Sequence, residues 1–158
     1  MNISIICVGK IKEKFYTEAL KEYVKRIGRF ASIDITEIPD ESIPQNPSEK
    51  QMEQIKEREG EKILSKIRSQ SFVIAMCIEG KLISSEELAA TMKISFLSSS
   101  RITFIIGGSL GLSDAVKKRS DLRISFGRIT LPHQLMRVVL SEQIYRAFMI
   151  NAGAAYHK

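Results

Sequence analysis

Short apolar runs rich in β-branched residues alternate with helical periodicities five times along the chain, which leaves few architectures open. Residues 3–8, Ile-Ser-Ile-Ile-Cys-Val, form a buried strand by length and branching, closed by Gly9. Over 10–29 the residues Phe15, Ala19, Tyr23 and Ile27 recur every fourth position and mark one face of a helix. A second strand is expected over 32–38, with Ile33 and Ile35 on one side, followed by a loop punctuated by Pro39, Pro44 and Pro47. Ser48-Glu49-Lys50-Gln51 has the spacing of a capping box and opens a charged helix to about residue 67. A third strand over 72–78 ends in a turn at Gly80, and Ser84 or Ser85 caps a helix over 86–96. Strand 101–106, helix 113–119, strand 122–126 and a long helix over 132–151 complete the pattern. The expected fold is α/β, a mainly parallel sheet of five to six strands with helices on both faces. In such sheets ligands bind at the carboxyl ends of the strands.

At 158 residues the chain has the length of one domain, and it shows no repeat, low-complexity tract or dividing linker. Its 44% hydrophobic and 27% charged content argues against disorder. No apolar run approaches the roughly 18 residues of a membrane span. The first residues read as a strand rather than a signal peptide, so a cytoplasmic protein without membrane contact is expected. Cys7 and Cys77 read as buried thiols in strands, and with only His133 and His157 as imidazoles no metal site is expected. The net charge of +6 is carried by the two ends of the chain, with a mildly acidic middle. Such a field favours an anionic partner, although solvated basic helix faces explain it equally well.

Two loops and the last helix stand out. Gly107-Gly108-Ser109-Leu110-Gly111 follows a strand directly, where glycines let a backbone approach a ligand. It matches neither Gly-x-Gly-x-x-Gly nor a Walker loop and is weak on its own. Phe126-Gly127-Arg128-Ile129-Thr130-Leu131 leads into Pro132, well suited to a first helical turn. Its mixture of apolar side chains and free backbone groups suits a nucleoside better than a bare phosphate. The final helix is apolar over more than one face, which points either to a symmetric homodimer or to deep burial within the monomer. Arg137 lies one turn beyond His133, and Lys117, Lys118, Arg119 and Arg123 form a basic cluster beside the glycine loop. His133, at a helix start, is expected to satisfy local partners rather than to catalyse. The tail ends Tyr156-His157-Lys158, with side chains suited to stacking on a base and moving a proton.

Taken in order, these residues resemble the ribosomal RNA large subunit methyltransferase H family of the SPOUT class over the full length. The most specific parts are Ile106-Gly107-Gly108-Ser109 with Gly111-Leu112, then Pro132-His133-Gln134-Leu135-Met136-Arg137. Glu142-Gln143-Ile144-Tyr145-Arg146-Ala147 and the tail add to them. The resemblance implies one SPOUT domain over 1–158, a deep C-terminal trefoil knot and an obligate homodimer. It implies S-adenosylmethionine (SAM) as methyl donor, without a metal, and N3 of a pseudouridine in 23S rRNA of the assembled 70S ribosome as acceptor. By position it places cofactor contacts at Met76, Gly107, Phe126, Gly127, Arg128, Ile129, Thr130 and Leu131. Met76 and Leu131 then pack on the adenosine, while Gly127 and Arg128 serve through their backbone. On chemical grounds Tyr156 stacks on or orients the target base and His157 accepts its proton, while Arg137 contacts RNA or braces the knot. The competing classes are an RNA-binding assembly factor without catalysis, which would not bind SAM, and a nucleotide- or flavin-binding protein, which lacks its usual fingerprints here.

Overall fold

A computed structural model describes residues 1–156. Its elements are β1 (Asn2–Val8), α1 (Lys14–Ile27), β2 (Ser32–Ile38), α2 (Glu49–Lys66), β3 (Ser71–Leu82), α3 (Ser85–Ser98), β4 (Arg101–Ile106), α4 (Asp114–Arg119), β5 (Leu122–Ser125) and α5 (His133–Asn151). The five strands make one sheet in the order β2-β1-β4-β3-β5, and every pair is parallel. Each strand is therefore followed by a helix that returns the chain to the starting edge.

Period-two alternation divides the core in two. Ile3, Ile5, Cys7, Ile102, Phe104 and Ile124 face α1, α3 and α5, where Ile27, Leu88, Met92, Leu140 and Ile144 meet them. Ile6, Val8, Val73, Ala75 and Ile105 face α2 and α4, against Ile63 and Val116. Helices thus cover both faces, as the alternation of periods requires.

Where start signals are chemical and local, the element begins where the sequence says. Ser48 and Ser84 each accept from the N–H three residues on, while Gln51 and Glu87 reach back to the cap N–H. Three expectations need correction. Helix α1 starts at Lys14 rather than at 10, because Glu13 at its N-cap makes no side-chain cap; Phe15 points to solvent at 64% exposure. Gly80 is not a turn: β3 runs through it to Leu82, with a register shift against β5 between Met76 and Lys81. A Cβ there would stand 2.6–2.8 Å from the backbone of Ile124, so the glycine serves close strand approach. Cys77 is half-buried, whereas Cys7 is fully buried and desolvation pushes its thiol up to about 11.

Candidate cofactor site

The sheet register brings the separate site segments to one edge. Met76 pairs with Ile106 on β4, the residue before Gly107, and with Ile124 on β5, two before Phe126. Met76, midway along β3, therefore lies between the carboxyl ends of β4 and β5, from which Gly107 and the second loop leave the sheet. Gly9 sits at the same end of β1, with φ of +85° and its N–H bonded to the carbonyl of Ile38 at 2.7 Å.

The glycine loop is a tight, buttressed turn. Gly108 and Gly111 form an antiparallel bridge, and Gly111 N–H donates to the Gly108 carbonyl at 3.0 Å. A Cβ on Gly107 would stand 2.9 Å from Leu112 Cδ2 and 3.0 Å from the Gly111 carbonyl carbon. On Gly108 it would meet Val8 Cγ1 at 3.1 Å and Glu59 Oε2 at 3.2 Å. Behind the loop a Cβ on Gly60 of α2 would collide with Ser113, the N-cap of α4. The backbone of this loop has little freedom.

The loop after β5 is held at its ends. The buried Ser125 hydroxyl donates to the Gly127 carbonyl at 3.0 Å and accepts from the Gly127 N–H at 3.2 Å. Gly127 adopts φ of +128° with open space around it. Phe126 packs into the core and Leu131 is half-buried, while Arg128, Thr130 and Ile129, the last 82% exposed, face solvent. Ile129 thus presents an apolar side chain to water beside the positive-φ Gly127.

The opening of α5 fastens this loop to β1. Arg137 is fully buried, with its guanidinium donating to the carbonyls of Val8 (3.0 Å) and Gly9 (2.6 Å) and to Glu37 Oε1 (2.8 Å). Its Nε has no partner among the described residues. Gln134 Oε1 accepts from the N–H of Lys12 and of Glu13, tying the segment just before α1 to the start of α5. The imidazole of His133 lies against Gly9, with Nε2 2.9 Å from where a Cβ would stand. Burial, then the nearby Arg137 cation, pushes the imidazole below its usual pKa, so it rests neutral. Arg137 thus ties the start of α5 to the ends of β1 and β2.

The tail lies elsewhere. Tyr156 folds back on α5, its hydroxyl donating to Glu142 Oε1 at 3.1 Å, its ring edge-on to Tyr145 and under the Arg146 guanidinium at 4.8 Å. Glu142 is nine residues beyond His133, about 14 Å along the helix. Within one chain Tyr156 and the loop are thus apart; His157 lies outside the described residues. The basic cluster lines a groove of about 650 Å³ between the end of β3 and α4, where Lys81, Lys117, Lys118 and Arg123 mix with Glu79, Asp114 and Asp121. Lys117 is paired with Glu79, while Lys118 and Arg123 are exposed. The groove flanks the loops rather than containing them.

Sequence reasoning missed Ser125, Glu37 and Glu59 as parts of this region. Glu59 had a signal: Ile55, Glu59 and Ile63 are four apart, so the carboxylate stands on the buried stripe of α2.

A parallel sheet with a constrained glycine loop and an open loop leaving neighbouring strands is the kind of α/β arrangement in which ligands bind at the carboxyl ends of the strands. The chain belongs to the SPOUT methyltransferase family: the family model described as "Predicted SPOUT methyltransferase" matches residues 1–157. It is 57% identical to the ribosomal RNA large subunit methyltransferase H of Lactiplantibacillus plantarum and 55% identical to those of Lactobacillus delbrueckii and Listeria monocytogenes, each alignment covering all of both chains. A solved structure of a probable methylase family protein from Haemophilus influenzae is similar in fold, with a TM-score of 0.54 at 14% identity, over 99% of this chain and 70% of that one. Among the described residues, no helix is long and apolar enough to cross a membrane.

Proposed function

We propose that this chain is a SAM-dependent methyltransferase acting on N3 of a pseudouridine in 23S rRNA of the assembled 70S ribosome. The observation that carries the reading is the register of Met76 between Ile106 and Ile124, which gathers all the expected cofactor segments at one sheet edge. The residues present fit the cofactor. Gly107 and Gly108 let the loop backbone pack close against Leu112, Val8 and Glu59, and Phe126 to Leu131 offer apolar cover and free backbone groups for adenosine. When bound, SAM supplies an electrophilic methyl group on a sulfonium, so no metal is needed for the transfer.

The protein's own part is alignment and proton handling. Arg137, Gln134 and His133 hold the start of α5 and so the end of the cofactor loop. Tyr156 orients the target base and His157 takes the N3 proton that must leave. Lys118 and Arg123 face the RNA backbone. The tail and the loop are separated along α5, and Leu135, Val138, Val139 and Met149 on that helix are only half-buried. Both features support a homodimer through α5 in which the tail of one protomer completes the pocket of its partner, with the C-terminal segment knotted. A monomeric mass by light scattering at micromolar concentration would refute the dimer.

The test is transfer of labelled methyl from SAM to assembled ribosomes lacking the modification, with isolated rRNA in parallel. Incorporation at one pseudouridine in ribosomes only is the expected result. No incorporation into either, from a folded SAM-binding protein, overturns the substrate assignment. Truncation after Gly153 should abolish methylation and spare SAM binding; full turnover would remove the tail from the mechanism.

A further inference from the structure

We infer that Glu59, a carboxylate buried directly behind the glycine loop, sets the preference of that loop for a positively charged methyl donor over the uncharged product. The inference rests on the reading that the loop binds SAM, and it concerns which form of the cofactor the site holds more tightly.

Glu59 is 5% exposed, the one acidic side chain among the buried polar residues described. A carboxylate so placed is ordinarily neutralised by a cation, because desolvation is otherwise costly. Here its Oε1 accepts from the Glu41 backbone N–H at 3.0 Å, and no ion pair joins it among the described residues. The cations nearby are turned elsewhere: Lys62 and Arg58 both pair with the Glu41 side chain. Burial holds its carboxyl above the usual carboxylate range, with the like charges of Glu41 and Asp40 adding to the rise and the Glu41 N–H and Lys62 opposing it. The other oxygen, Oε2, points toward the loop, 3.2 Å from the position that a Gly108 Cβ would take. Only the absent side chain of Gly108 lets the carboxylate come so near.

The molecule therefore keeps a carboxylate with no ion pair among the described residues behind a wall one backbone thick, offset only by the Glu41 N–H and, at a distance, by Lys62. SAM carries a sulfonium, an ammonium and a carboxylate, for a net charge of +1. When its methyl passes to N3 and the N3 proton leaves to a base, the C–S electron pair returns to sulfur and the product thioether, S-adenosylhomocysteine, is neutral overall. A fixed anion behind the loop attracts the first species more than the second. It thus favours loading of the donor and release of the product without touching either. Glu59 is a specificity-setting residue that acts through the loop, not a catalytic one.

The experiment titrates the full-length protein with SAM and, separately, with S-adenosylhomocysteine by calorimetry at pH 8, for the native chain, Glu59→Gln and Glu59→Asp. Glutamine keeps an acceptor for the Glu41 N–H and nearly the same volume, so the variant isolates charge; thermal melting checks the fold. Glu59→Gln should weaken SAM about fivefold and leave the product unchanged, so the affinity ratio falls about fivefold. Glu59→Asp should preserve the ratio even if both affinities decline. Equal weakening of both ligands by Glu59→Gln, an unchanged ratio, or loss of the ratio in Glu59→Asp would overturn the inference. Failure of the native chain to bind either ligand is a different result and overturns the methyl-donor reading instead.

Discussion

The two loops of the candidate site solve the same problem in opposite ways. The glycine loop after β4 is fixed by packing: side chains added at Gly107 or Gly108 would press on Leu112, Gly111, Val8 and Glu59. The loop after β5 is fixed only at its ends, by Ser125 on one side and by the Arg137 and Gln134 contacts of α5 on the other. Between these anchors Gly127 has open space and Ile129 is almost fully exposed. One loop is a template and the other a cover, so substitutions should act on stability in the first and on ligand affinity in the second.

The largest effect is expected at the anchor. Arg137→Leu removes the donors to two backbone carbonyls and to Glu37 in a fully buried place. It should cost about 3 kcal/mol of stability, read by denaturant unfolding. A loss under about 0.5 kcal/mol would mean that the end of the cover is held by something else. Next comes the template. Gly107→Ala should cost about 2 kcal/mol through displaced backbone at Gly111, and SAM affinity should fall with it. Gly127→Ala meets nothing, so its cost is the positive φ alone, about 1 kcal/mol. Equal costs at the two glycines would erase the distinction between the loops. Ile129→Ser sharpens it from the other side. The melting temperature should stay put, because the residue packs on nothing yet. SAM affinity should drop about tenfold, if the side chain closes on adenosine.

What could be read in advance follows the same division between local and tertiary causes. Capping boxes at Ser48 and Ser84 depend on three or four consecutive residues, so both helix starts were legible. The runs of β1 and β4 are legible because these central strands are buried on both faces, which leaves an apolar signature, whereas edge strand β2 is only half-buried. The start of α1 leaves no local mark: the N–H groups of Lys12 and Glu13 just before it bond to Gln134, more than a hundred residues away. Gly80 was read as a turn because a lone glycine after a strand carries no mark of the neighbour it approaches, the backbone of Ile124. Of the site, the loop residues are proposed by resemblance, and the register sets Met76 beside them. Glu59 was overlooked although its spacing with Ile55 and Ile63 is plain in the sequence, since a glutamate in a charged helix reads as solvated. The partnership of Arg137 with Val8 and Gly9 leaves no periodic trace at all.

The smallest expected effect tests whether the end of the cover is sensed through His133. Desolvation, with help from Arg137, lowers the imidazole pKa in the folded chain, while Asp40 opposes. In the unfolded chain the same group titrates near 6.5. Above that value neither state holds the proton and His133 adds no slope. As pH falls through it, the unfolded chain takes up the proton first, so stability declines until the folded value is passed. Glu59, whose folded pKa is raised, contributes with the opposite sign in the acidic range, so the native curve alone is ambiguous. The difference between native protein and His133→Gln isolates the imidazole. The substitution should flatten the decline below about pH 6.5 and leave stability above it nearly unchanged, as followed by urea unfolding across pH. A parallel shift of the whole curve would show instead that His133 matters through its packing on Gly9, and the anchor would then be steric rather than electrostatic.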